Sequence, residues 1–146
     1  MVNTRTRTIA LDRFLTLNRA LDQALSGVDG AFAGNWVPPI DLAERTDAYV
    51  LSAELPGVEP ATVDVGFEQN VLTIKGSRPA PVGGSDQGEV KPLSRERRYG
   101  AFERSIRFPD SVDADRITAT FRHGVLTIEV PKARAALARK IEVQVG

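Results

Sequence analysis

The 146-residue sequence has no cysteine, one histidine and no excess of charge of either sign. Without cysteine there is no disulfide, no thiolate nucleophile and no sulfur ligand for a metal, which suits a reducing compartment. A single imidazole, His123, cannot build an imidazole–thiolate pair or a zinc site. Nineteen basic residues balance nineteen acidic ones, so general attraction to nucleic acid is not expected. The same balance leaves little self-repulsion, which is tolerable in a chain meant to associate. Long apolar runs are also missing. In "MVNTRTRTIALDRFLTLNRAL" the apolar positions are broken by Asp12, Arg13, Asn18 and Arg19, which argues against a signal-peptide core or a membrane span. The expectation is a cytoplasmic protein with no stable membrane insertion.

Further absences bear on catalysis. No Gly-rich loop ends in Gly-Lys-Ser/Thr, and the Gly83-Gly84 pair lies in a long polar stretch, so ATP hydrolysis is unsupported. Asp41, Glu44, Asp47, Asp110, Asp113 and Asp115 are scattered at strand ends and turns, the pattern of surface acids and not of a paired general acid and base. His123 stands beside Gly124 in "FRHGV", where a turn needs residues that tolerate positive φ. No catalytic residue, metal site or cofactor is expected, and the chain is not read as an enzyme.

What the chain does have is pattern. At 42% hydrophobic and 26% charged, it has the composition of one globular domain with flanking arms. From about Thr8 to Ser26, Leu11, Phe14, Leu17, Leu21 and Leu25 recur at helical steps, with Gly27 as a stop. This row serves equally as a helix packed on its own domain or as an adhesive arm. "GVDGAFAGNWVPPID" follows, a Gly- and Pro-rich linker with Phe32, Trp36 and Val37 as isolated apolar anchors. Then the period changes to two. "YVLSAEL" ends at Pro56-Gly57; "TVDVGFE" aligns Val63, Val65 and Phe67; "VLTIKG" ends in Gly76. "AFERSIRFP" aligns Phe102, Arg104, Ile106 and Phe108, "ITATF" aligns Ile117, Ala119 and Phe121, and "VLTIEVP" aligns Leu126, Ile128 and Val130. Short strands without intervening helices predict an all-β, antiparallel sandwich. "RPAPVGGSDQGEVKPLSRERR" interrupts them, and loops of that length are functional or disordered. The chain ends in "KIEVQVG", a lone alternating strand with no evident partner.

Several stretches, in one order, resemble the α-crystallin or small heat-shock protein family of the bacterial and plant type. "ATFRHGVLTIEVPK" is similar to its A-x-x-x-n-G-V-L signature, with Ala119, Gly124, Val125 and Leu126 in place and His123 where Asn or Asp is usual. "PPIDLAERTDAYVLSAELPGV" resembles the entry to the domain, "RERRYGAFERSIRFPDSVD" its E-R-x-x-G-x-F-x-R stretch, and Ile141–Val143 its C-terminal I-x-I/V tripeptide. The implied organisation is an arm at 1–37, a domain with an immunoglobulin-like fold at 38–132, and a C-terminal extension at 133–146.

The resemblance implies an ATP-independent chaperone that holds partly unfolded client proteins and suppresses their aggregation. It implies homodimers made by exchanging a strand from the long loop, about Val90 to Arg98, and possibly higher oligomers. Arg95, Glu96, Arg97, Arg98, Tyr99 and Arg104 are then expected at the dimer interface. Ile141 and Val143 are expected to dock in a groove formed by Val63, Val65 and Phe67 on one side and Ile117, Ala119 and Phe121 on the other. Client binding is expected from Leu11, Phe14, Leu17, Leu21, Leu25, Phe32 and Trp36. The alternative is a non-enzymatic co-chaperone or adaptor sandwich that binds one folded partner.

Overall fold

The computed structural model describes residues 18–20, 36–81, 93–109, 112–134 and 140–146. Seven strands follow one another: β1 (Ile40–Glu44), β2 (Ala48–Glu54), β3 (Asp64–Glu68), β4 (Val71–Arg78), β5 (Gly100–Arg107), β6 (Thr118–Arg122) and β7 (Val125–Pro131). They form two antiparallel sheets, one in the order β1-β2-β7-β6 and the other in the order β3-β4-β5. Their inner faces share one core, which makes the expected immunoglobulin-like sandwich.

The period of two decides what lies inside. Register pairs Leu51 with Ile128 and Ala53 with Leu126 in the first sheet. In the second it pairs Leu72 with Ile106 and Ile74 with Arg104. Leu51, Leu55, Leu72, Ile74, Ile128 and Val130 are fully buried, each worth about 1.5–3 kcal/mol of transfer from water. Gly76 lies opposite Phe102 in the same register. A methyl group at Gly76 would fall 2.6 Å from the Phe102 ring, so only glycine lets that ring cross the strand.

Turn chemistry fixes the ends. Gln69-Asn70 and His123-Gly124 are two-residue loops with positive φ throughout, the hairpin geometry that matches strand twist. Each leads into one of the similar "VLTI" strands, so the sequence echo marks two equivalent hairpins. Leu55-Pro56-Gly57-Val58 closes by a Val58 N–H to Leu55 carbonyl bond of 3.2 Å, with φ of 77° at Gly57. The two ends are clamped together. The Leu55 N–H donates to the Gly124 carbonyl at 2.7 Å, and a Cβ on Gly124 would meet Pro56 Cα at 3.2 Å.

One strand, β1, has no counterpart in the period-two runs singled out in the sequence. Of its residues only Ile40 and Leu42 turn inward, and both are half-buried. Residues 18–20 are helical, as the N-terminal periodicity predicts, while Leu11, Phe14, Leu17, Leu21, Leu25 and Phe32 lie outside the described residues.

Candidate functional site

Among the described residues, sheet order makes β3 an end strand of one sheet and β6 an end strand of the other, with β5 and β1 at the opposite ends. An end strand presents main-chain N–H and C=O groups to whatever comes alongside. On β3 and just before it, Val63, Val65 and Phe67 are half-buried and pack against the core. On β6 and just before it, Ile117 and Phe121 do the same, while Ala119 between them is exposed. Each edge therefore shows an apolar row held rigid from beneath. Phe67 leans on Phe108 with centroids 6.5 Å apart, and Phe108 on Tyr49 at 5.3 Å. The structure brings all of the expected groove residues to these two edges. An end strand beside an apolar row can accept an extended peptide, with main-chain bonds giving adhesion and alternate side chains giving selectivity.

The C-terminal segment has the complementary form. Residues 140–146 belong to no strand, and Ile141 and Val143 are 84% and 87% exposed, with Val145 more so. Glu142 and Gln144 between them are exposed as well. Its apolar side chains alternate with polar ones at the period of a strand, and all are turned to solvent.

A third cluster lies where β4 and β5 meet the segment before β1. Trp36, expected on the apolar arm, is instead 5% exposed and belongs to the core. Its ring meets Phe102 edge-on at 5.2 Å, and its indole N–H donates to the Gly100 carbonyl at 3.2 Å. Gly76 leaves room for Phe102, and the Phe102 ring is the apolar surface against which the indole packs. Arg78 joins this cluster from the end of β4. Its guanidinium lies 3.6 Å from the Trp36 ring centroid and donates from Nη1 to the Arg98 carbonyl. Burial, then the neighbouring Arg97 charge, hold Arg78 below its ordinary value, with Tyr99 acting in the opposite sense. An arginine ending an apolar strand was the available signal, but nothing local marks it as buried.

The expected interface residues divide in two. Arg95, Glu96, Arg97 and Arg98 are exposed and lie outside any strand, and Arg97 sits 5.2 Å from the ring of half-buried Tyr99. Arg104 is half-buried on the inward row of β5 between Phe102 and Ile106. Residues 90–92, the start of the segment expected to be exchanged, lie outside the described residues.

Among the described residues, no group of three or more His, Cys, Asp or Glu side chains is placed to hold a metal. His123 is exposed, with φ of 51°, in the turn that joins β6 to β7. Among the same residues no helix is long and apolar enough to cross a membrane.

Comparison with known proteins converges on one group. The family model described as "Hsp20/alpha crystallin family" matches residues 41–145. Small heat shock protein C2 of Rickettsia felis is 37% identical over 110 residues, covering 75% of this chain and 70% of that protein. The 19.0 kDa class II heat shock protein of Oryza sativa is 44% identical over 116 residues, covering 74% and 66%. The crystal structure of a small heat-shock protein from Xylella fastidiosa, described as having a distinct high order structure, superposes with a TM-score of 0.62 at 42% identity. That match covers 75% of this chain and 98% of that one.

Proposed function

The chain belongs to the Hsp20/alpha crystallin family, and from that premise we propose that it is an ATP-independent holdase of the cytoplasm. It binds partly unfolded proteins through apolar surface and keeps them from aggregating, without a cofactor and without chemistry. The observation that carries this reading is the exposed row of Ile141 and Val143 in a chain that also has two end strands lined by half-buried apolar side chains.

The tail of one chain docks across β3 and β6 of another. Each docked Ile or Val contributes at most about 1.5–3 kcal/mol, and ordering each tail residue costs about 1–2 kcal/mol. A single dock is therefore weak and exchangeable, and an assembly gains stability from many linked docks. When a tail leaves, its groove becomes an apolar surface for a client. Leu11, Phe14, Leu17, Leu21, Leu25 and Phe32 supply further client surface, whereas Trp36 is committed to the core. Exposed apolar area recognises unfolded chains without regard to sequence, so the client range is broad. The building block is a homodimer in which the loop around 90–98 reaches the partner's sheet, with Arg95, Glu96, Arg97, Arg98, Tyr99 and Arg104 at the contact.

The test is to heat an aggregation-prone client with an equimolar amount of subunits and no nucleotide, following turbidity. Suppression is expected. Undiminished turbidity, together with tight binding of one folded protein, would replace the holdase by an adaptor.

A further inference from the structure

We propose that Thr4-Arg5-Thr6-Arg7-Thr8 of this chain docks on the outer face of the β3-β4-β5 sheet, with its two arginines on Asp64 and Glu68. Alternation turns Val65, Phe67, Leu72, Ile74, Phe102 and Ile106 to the core, so the residues between them face outward. Register sets those outward residues in rows across the strands. Asp64, Lys75 and Glu103 form one row, Gly66, Thr73 and Ser105 the next, and Glu68, Val71 and Arg107 the last. The middle row is low. A Cβ on Gly66 would meet nothing within 4 Å, and the Thr73 and Ser105 hydroxyls lie 3.3 Å apart, satisfied by each other. The space above is a groove of about 560 Å³ lined by residues of every row.

Charge selects the occupant. Lys75 Nζ lies 3.6 Å from Glu103 and pairs with it, whereas Asp64 and Glu68 make no ion pair among the described residues. These two carboxylates flank Gly66 on one strand, about 13 Å apart. A chain with two cations and no acid fits them, and Thr4–Thr8 is such a chain. In an extended run Arg5 and Arg7 project to one side about 7 Å apart, and their long side chains splay to cover the rest. The alternating threonines are β-branched and favour that extended form.

The chain delivers the stretch to this face. The Arg107 N–H donates to Asn18 Oδ1 at 2.8 Å, and Asn18 Nδ2 donates to the Arg107 carbonyl at 3.3 Å, so residue 18 is tied to the β5 end of the last row. Ser105, next to it on this face, turns outward yet is 7% exposed, so the groove is covered at its β5 end and open at Gly66. Glu68 lies across β4 from Arg107, about 10 Å away. From Asn18 back to Arg7 the chain spans about 16 Å as helix and about 36 Å when extended, so reach is ample. Two exposed ion pairs hold weakly and are screened by salt, which makes the contact a latch that opens readily. Its release frees Leu11, Phe14 and Leu17, which lie between the two attachments.

The test is disulfide trapping in the full-length protein, which has no cysteine of its own. Thr6→Cys is combined with Gly66→Cys, where the new side chain has open space, or with Thr120→Cys on the exposed face of β6 as control. Oxidation with copper phenanthroline is followed on non-reducing gels. The 6–66 pair should close within one chain and faster than the 6–120 pair. Its rate should fall roughly three- to tenfold on adding Asp64→Asn with Glu68→Gln, the loss expected for two exposed ion pairs. Arg5→Ala with Arg7→Ala, which leaves the domain untouched, should do the same, as should about 1 M NaCl, where the screening length is about 3 Å. The 6–120 rate should not change. A 6–66 rate that equals the 6–120 rate, or that ignores both charge variants and salt, would overturn the latch. Covalent dimers in place of closed single chains would put a second copy's arm on the face and overturn the assignment within one chain. No client enters these readings, so they stand or fall apart from the chaperone reading.

Discussion

Replacing Trp36 by phenylalanine removes one hydrogen-bond donor and part of one ring. The indole N–H reaches the Gly100 carbonyl at 3.2 Å, so the variant leaves a part-buried carbonyl unpaired at a cost of about 1–3 kcal/mol. The smaller ring is also a poorer platform for the Arg78 guanidinium, which lies 3.6 Å from the Trp36 ring centroid, and this adds about 0.5–1 kcal/mol. Together these predict a destabilisation of about 1.5–4 kcal/mol. In a domain of this size that lowers the thermal midpoint by roughly 6 °C or more. Trp36→Ala should cost more, about 3–5 kcal/mol for the ring alone, and should strand Arg78 against a void. Circular dichroism during heating measures both. Trp36 is the only tryptophan, so its fluorescence reports the same site: emission should be that of a buried indole and shift to the red on unfolding. A native emission already typical of indole in water, together with an unchanged midpoint in Trp36→Phe, would refute the placement of this ring in the core.

Other perturbations are as direct. Gly76→Ala places a methyl group 2.6 Å from the Phe102 ring, and the overpacking should cost about 1–3 kcal/mol, read from urea midpoints. Burial, and secondarily the Glu44 carboxylate, hold the Tyr49 phenol above its ordinary value of 10.0. The native state thus keeps its proton longer than the unfolded chain, so stability is whole below pH 10.0 and falls above it. Tyr49→Phe should remove that fall, as measured by denaturant midpoints across the alkaline range. Arg104→Gly empties a half-buried inward position of β5 and should weaken the dimer; sedimentation identical to wild type would exclude Arg104 from that contact.

The core was legible because two-residue alternation states which side chains share a face, and the rows from Tyr49, Phe102 and Leu126 do lie inside. Turn residues were equally plain: His123-Gly124 and Pro56-Gly57 occupy the backbone conformations their chemistry favours. β1 escaped because two apolar residues followed by Glu44 make too short an alternation, and its pairing with β2 supplies the order that its own pattern lacks. The burial of Trp36 has no local signal, because its Gly- and Pro-rich neighbourhood resembles a linker, while Phe102, the ring it packs against, and Gly76 opposite that ring lie far off in sequence. Of the site, the two edge rows could be read from period alone, but that β3 and β6 are end strands follows from sheet order, which no local pattern encodes. Arg78 is invisible for the same reason, since its burial is defined by a contact with a distant ring.

In the assembly proposed above, the exposed tail of one chain fills the edge groove of another. Multi-angle light scattering of the full-length protein against the double variant Ile141→Ala, Val143→Ala measures it most directly. Both side chains are almost wholly exposed in the single chain, so their removal should leave the fold untouched. The wild type should form assemblies larger than a dimer, and the variant should fall to dimers with unchanged circular dichroism. Assemblies of the same mass in both proteins, at the same concentration, would contradict it.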